Sequence, residues 1–195
     1  MSKKIYLAPK GKAGFTAVDK PSQYKDKETG KLSDPKFVAS EIIPEDQVED
    51  LVQQLQPVLD EYYKEVSKKD KTIKKLPVFP KEVSKETGEE TGNVIIRATS
   101  KFPVQVLDSK KNTIKGVKVG AGSTIQLAFS AKPSLIKKEC FLTLYLAAVK
   151  VIKLSEGADY SNLFDADDSE DGYVFGEDGA ADDGDEEALD QAVNI

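Results

Sequence analysis

The chain has 195 residues, enough for one domain with a real core plus extensions, and a formal net charge of −6 at pH 7. It holds no histidine, one cysteine (Cys140) and one arginine (Arg97). That composition excludes imidazole acid–base catalysis, a Ser-His triad, His or multi-Cys metal centres, an internal disulfide and a multi-arginine phosphate clamp.

The opening Met1–Leu7 carries charge but no long apolar region, so it does not read as a secretory signal. No apolar run reaches the roughly 18 residues of a membrane span. A lone cysteine fits a reducing, cytoplasmic setting. Residues 13–18 (AGFTAV) predict a first strand, closed by Asp19-Lys20-Pro21. Residues 22–35 read as a loop, with Thr29-Gly30 and Asp34-Pro35 as turn signals, and 36–43 as a second strand ended by Pro44. Residues 45–68 form the clearest helix: Val48, Leu51, Val52, Leu55, Leu59, Tyr62 and Val66 recur at steps of three and four. Acids crowd its first turns and lysines its end, which suits the macrodipole. Pro57 should kink or split it, at about 3 kcal/mol.

Residues 67–93 read as an exposed, Lys- and Glu-rich excursion interrupted by Leu76–Pro80. Strands are then predicted at 94–100, 103–108, 117–119, 122–131 and 139–154. Asp108–Asn112 is a turn bearing two lysines. Gly116–Gly122 (GVKVGAG) is glycine-rich but lacks the Gly-Lys-Ser/Thr that ends a phosphate-binding loop, and reads as a turn. In the last segment Cys140, Leu142, Leu144, Leu146 and Ala148 face one side, with Thr143, Tyr145, Val149 and Val151 on the other. A long bent strand with two packed faces suits a small barrel; a buried helix is the alternative there. The set is mainly β: an OB-fold five-stranded barrel over 1–155 with one inserted α-helix.

Charge is divided along the chain. Residues 1–155 carry all 28 Lys and Arg against 19 acids, whereas 156–195 carry 15 acids and no base. The acidic segment is too poor in large apolar residues to offset the cost of ordering its backbone, so it is expected to be a disordered C-terminal tail. Tyr173 and Phe175 sit among its acids, and Leu189, Val193 and Ile195 lie at helical spacing near its end. These five are candidate partner-binding residues. A basic body joined to a polyanionic tail suggests a nucleic-acid binder whose tail competes for the basic groove.

Single strands are held by a basic groove and by rings on which bases stack. Lysine and aromatic residues interleave at Lys12/Phe15, Lys20/Tyr24, Lys36/Phe37 and Arg97/Lys101/Phe102. Arg97 lies mid-strand, where a charge should point outward or toward a ligand. Phe102, between Lys101 and Pro103, is the best candidate for an exposed ring.

Several segments resemble the single-stranded DNA-binding proteins of T7-like and related tailed bacteriophages. They are Ser2–Tyr6, Thr16–Tyr24, Asp34–Val38 running into Ile43-Pro44 and the helix, Val106–Lys110, and Gly120–Ser123 with the following strand. Their order, completed by the acidic tail, spans nearly the whole chain. The resemblance implies an OB fold and sequence-independent binding in phage DNA replication and recombination. It also implies a tail that contacts polymerase and helicase-primase, a tendency to homodimerise, and no cofactor. By position Lys3 and Lys36 would contact phosphates. Lys36 stands where the family motif has arginine, which keeps the charge but loses the bidentate fork. The family tail ends in an aromatic residue and this one in Ile195. A rival reading is an acidic-tailed interaction or chaperone-like protein whose body ignores DNA. A hydrolase built on carboxylates such as Asp108 and Glu139 is the weakest alternative.

Overall fold

The computed structural model describes residues 4–25 and 30–155. In chain order its elements are β1 (Tyr6–Leu7), β2 (Gly11–Ser22), β3 (Lys36–Pro44), a 3-10 turn (Glu45–Val48) and α1 (Glu49–Lys69). Then come β4 (Lys74–Lys75), β5 (Lys81–Val83), β6 (Glu90–Ser100), β7 (Gln105–Leu107), β8 (Thr124–Ile136) and β9 (Glu139–Lys153). The expected tail, 156–195, lies outside the described residues.

Five strands close a ring. β2 pairs with β3, β3 with β6, β9 with β8 and β8 with β2, all antiparallel, and β6 meets β9 in parallel at Thr99–Tyr145. The chain is mainly β, with one α-helix among the described residues, and the ring is a five-stranded barrel of OB type. Its interior follows the period-2 rule: Ala39 and Ile43 of β3, Ile96 and Ala98 of β6, and Ile125, Leu127 and Phe129 of β8 are all buried. α1 adds Leu51, Leu55 and Leu59 to the same core at four-residue steps, each contributing roughly 1.5–3 kcal/mol. Pro57 is exposed, and α1 runs through it unbroken from Glu49 to Lys69. The carbonyl it leaves unpaired belongs to Gln53, itself exposed, so water can satisfy it.

β9 is a strand throughout, but its two buried sets belong to one core rather than to two faces. Cys140, Leu142, Leu144 and Leu146 point inward on even positions, Val149 and Val151 on odd ones. The pairing explains the change: Phe129 lies opposite Leu146 and Ala128 opposite Ala148, leaving Ala147 as an extra residue. This bulge resets the phase, so Leu127 still faces Val149 inside the barrel.

Two further expectations are corrected. Residues 117–119 are not a strand. Val119 is nonetheless buried and its carbonyl accepts the Thr16 hydroxyl, while the adjoining turn is fastened to β2 by the Gly122 N–H donating to Ala13 O at 2.8 Å. The 67–93 excursion is not wholly exposed either. Ile73, Val78 and Phe79 are buried in the core, and β5 pairs with β6.

One carboxylate is buried among the barrel residues. Glu41 of β3 is 0% exposed and lies between Ala13 and Ile96 in the register. Neither side-chain oxygen completes a hydrogen bond among the described residues. Burial pushes its pKa up to about 8, and the nearby amides of Gly11 and Leu127 pull it only partly back.

Candidate nucleic-acid interface

Residues opposite one another in a sheet share a face. Ser40 lies opposite Arg97, Val38 opposite Thr99, Thr99 beside Tyr145, Tyr145 opposite Ser130 and Thr143 opposite Lys132. Their sequence neighbours Ala39, Ala98, Leu144, Leu146 and Phe129 are buried in the barrel. These rows therefore point outward from β3, β6, β9 and β8, with Val38, Ser40 and Ser130 themselves covered and Arg97, Tyr145 and Lys132 exposed. Arg97 is exposed as a charge in a strand centre demands, and has no ion-pair partner among the described residues.

A bulge on β2 sets the next feature. Ala13 pairs with Glu41 and Thr16 with Ala39, so Gly14 and Phe15 together face Ser40. A Cβ on Gly14 would come within 2.8 Å of Ser40 Oγ, which explains glycine there. The Ser40 hydroxyl donates to the Phe15 carbonyl at 2.9 Å. The Phe15 ring is left exposed, with β3 between its strand and that of Arg97.

Most of the other candidates gather at one end of the sheet. Ser22 lies opposite Lys36 and Phe37 opposite Ser100, which brings the ends of β2 and β6, bearing Lys20, Tyr24, Lys101 and Phe102, to the start of β3. Lys101 reaches Asp34 at 3.5 Å. The Ser100 hydroxyl accepts the Phe102 N–H at 3.1 Å and donates to the Phe102 carbonyl at 2.8 Å. This tight turn holds out a ring that is 77% exposed. Lys20 and Tyr24 are exposed and Lys36 is half-buried.

Phe37 is placed differently from the expectation. It shares the inward phase of Ala39, is only 9% exposed, and lines a cleft with Val18, Val104 and Ile114. So little of the residue is exposed that it offers a base little surface. Lys12 is exposed but sits at the far end of β2, opposite Ile42 and Thr124. Lys3 and the tail candidates Tyr173, Phe175, Leu189, Val193 and Ile195 lie outside the described residues.

A furrow of about 390 Å³, not foreseen from the sequence, lies where the outward Ser130, Lys132 and Tyr145 meet Lys4 and the largely buried Tyr6. Tyr6 stacks on the buried Phe129 with centroids 6.1 Å apart, and Lys4 Nζ stands 4.7 Å over the Tyr6 ring. Tyr145 is 42% exposed. The signal was present: Tyr145 and Thr143 fall on the polar side of a strand whose other side is leucine, and an aromatic there has no core to fill. The arrangement sets exposed rings (Phe15, Tyr24, Phe102, Tyr145) among cations (Lys4, Lys36, Arg97, Lys132). Such a surface suits phosphate neutralisation with base stacking. Among the described residues no group of acids and cysteine is placed to hold a metal ion, and no helix is long and apolar enough to cross a membrane.

No family model and no curated protein matches the sequence. Solved structures do match. Gp2.5, a single-stranded DNA-binding protein encoded by bacteriophage T7, aligns with a TM-score of 0.56 and 17% identity over 89% of this chain and 99% of its own. The C-terminally truncated single-stranded DNA-binding protein of bacteriophage Enc34 aligns with a TM-score of 0.54 and 17% identity, covering 78% of this chain and 87% of its own. The same Enc34 protein in complex with ssDNA aligns at 0.53 and 18% identity, over 78% and 88%. At such identities the likeness establishes a common fold.

Proposed function

We propose that the chain binds single-stranded DNA without sequence preference, as a non-enzymatic protein of phage DNA replication and recombination. The observation that carries this reading is the register placing Arg97 beside Ser40 and Tyr145 beside Thr99 on the outer face of an OB-type barrel. Oligonucleotides bind OB folds across the face of their second and third strands, here β3 and β6. Support comes from the fold shared with gp2.5 and with the Enc34 protein, the latter solved with ssDNA. The path would run past Phe102, Tyr24 and Lys36, over Phe15 and Arg97, toward Tyr145, Lys132 and Lys4, with Lys3, Lys20 and Lys101 as flanking phosphate contacts. Lys12 would meet a strand that continues to the other end of β2.

The segment 156–195, with 15 acids and no base, would compete for the same face and recruit replication proteins such as polymerase and helicase-primase through Tyr173, Phe175, Leu189, Val193 and Ile195. Homodimerisation and a place in the host cytoplasm accord with this role. The test is a gel-shift titration of poly-dT with the full chain and with a chain ending at Ser155, at two salt concentrations. Salt-sensitive binding that tightens on truncation is the expected result. A body that ignores poly-dT at low salt sinks the DNA reading; unchanged affinity on truncation sinks only the competing tail.

A further inference from the structure

In a body with nine more bases than acids, one groove is rimmed by carboxylates. It lies between α1 and the 77–80 segment and encloses about 760 Å³. Its floor is apolar, made by Val48, Val52, Val78, Phe79 and Val94. Pro77 and Pro80 bracket the far wall; with φ fixed and no N–H to donate, they keep that wall extended and set off from the helix. The groove is thus preformed, apolar inside and polar only at its edges, the usual form of a recognition site.

The rim names the charge of the occupant. Glu45 of the 3-10 turn and Glu49 at the start of α1 line one side of the groove, and Glu90 of β6 lines it too. Lys81 displays the chemistry already: its ammonium lies 2.9 Å from Glu90 and 3.5 Å from Glu45. Both contacts are solvent-exposed and therefore weak, so an incoming Lys or Arg can replace Lys81 at little cost. Glu49 has no ion-pair partner among the described residues. A polyanion is repelled by this rim, which excludes DNA and an anionic membrane surface. The segment 156–195 is excluded for the same reason, having no base at all.

We infer that this groove docks a basic, apolar peptide segment of a partner protein, with apolar side chains on Val52 and Phe79 and a cation between Glu49 and Glu90. The contact is independent of the DNA face and of the acidic segment.

The test uses the full-length protein and two fluorescein-labelled 14-residue peptides of equal positive charge, one alternating leucine and lysine at helical spacing, the other with serine for leucine. Fluorescence polarisation should detect binding of the Leu/Lys peptide only. Val52→Asp should weaken it at least about tenfold, and Glu49→Lys, an exposed change that spares the fold, should do the same. Equal capture of the Ser/Lys peptide would assign binding to the acidic segment and overturn the proposal. So would unchanged affinity in Glu49→Lys. Sedimentation showing dimers that Val52→Asp dissolves would assign the groove to a second copy, which also overturns it.

Discussion

Glu41 and Gly11 meet inside the barrel: a Cβ on residue 11 would fall 2.7 Å from Glu41 Cγ and 2.5 Å from Ile43 Cγ1. The missing side chain makes the room that a buried carboxyl occupies. Because the folded pKa is raised from 4.5 to about 8, the folded state holds a proton that the unfolded chain releases. The associated stability is complete below about pH 4.5, falls as pH rises toward 8, and is then flat. The displacement corresponds to roughly 5 kcal/mol. Glu41→Gln should remove that component of the pH dependence and leave the variant more stable than the parent at pH 9. Urea denaturation at pH 5, 7 and 9 measures it; parallel curves for the two proteins would refute the assignment.

Phe37 and Phe102 are separated by burial, 9% against 77% exposed, and their truncations should part accordingly. Phe37→Ala should cost about 3–5 kcal/mol of stability. Phe102→Ala should leave the denaturation midpoint nearly unchanged and cost about 1–3 kcal/mol in poly-dT affinity. Paired denaturation and anisotropy titrations decide it.

Arg97 and Tyr145 should likewise differ in kind. Arg97→Ala is expected to lower the log–log salt slope of poly-dT binding by about 0.7, the yield of one phosphate contact on a single strand. Tyr145→Ala should weaken binding by roughly 1–3 kcal/mol at every salt concentration, with the slope intact. An unaltered slope in the first variant would remove Arg97 from the phosphate path.

The two-residue turn joining β8 to β9 is built from Lys137 and Lys138, both in the left-handed region with φ of 48° and 65°. Asn-Gly is the relaxed choice for such a turn. Lys137→Asn with Lys138→Gly should raise stability by about 1–2 kcal/mol. The lost contacts of Lys138 with Asp70 at 3.5 Å and Thr72 at 2.9 Å are exposed and offset little of that. The urea midpoint is the readout.

Much of the barrel could be read in the sequence because its signals are local. β3 announces itself by an apolar run stopped at Pro44, α1 by its leucine stripe, β8 by strict alternation. Relations set by distant partners could not be read. Val119 looks like a strand residue but is buried by docking on Thr16, far away in the chain. Val78 and Phe79 sit in a polar stretch and become core only because β5 folds back on β6. Phe37 and Phe102 each follow a lysine, and nothing nearby says that one faces in and the other out. Tyr145 enters the candidate surface through its parallel contact with Thr99, a pairing that no window on β9 contains.

Ala147 separates two halves of β9 that are out of step by one residue. Deleting it would leave plain alternation, with Leu146, Val149 and Val151 still inward, and would remove the bend that an extra residue puts into a strand. Keeping it without the bulge is the costly change: regular pairing through residue 147 would carry Val149 and Val151 to the solvent side and put Ala148 and Lys150 in their places. Descendants of this protein can therefore shed residue 147 more readily than they can straighten the strand around it.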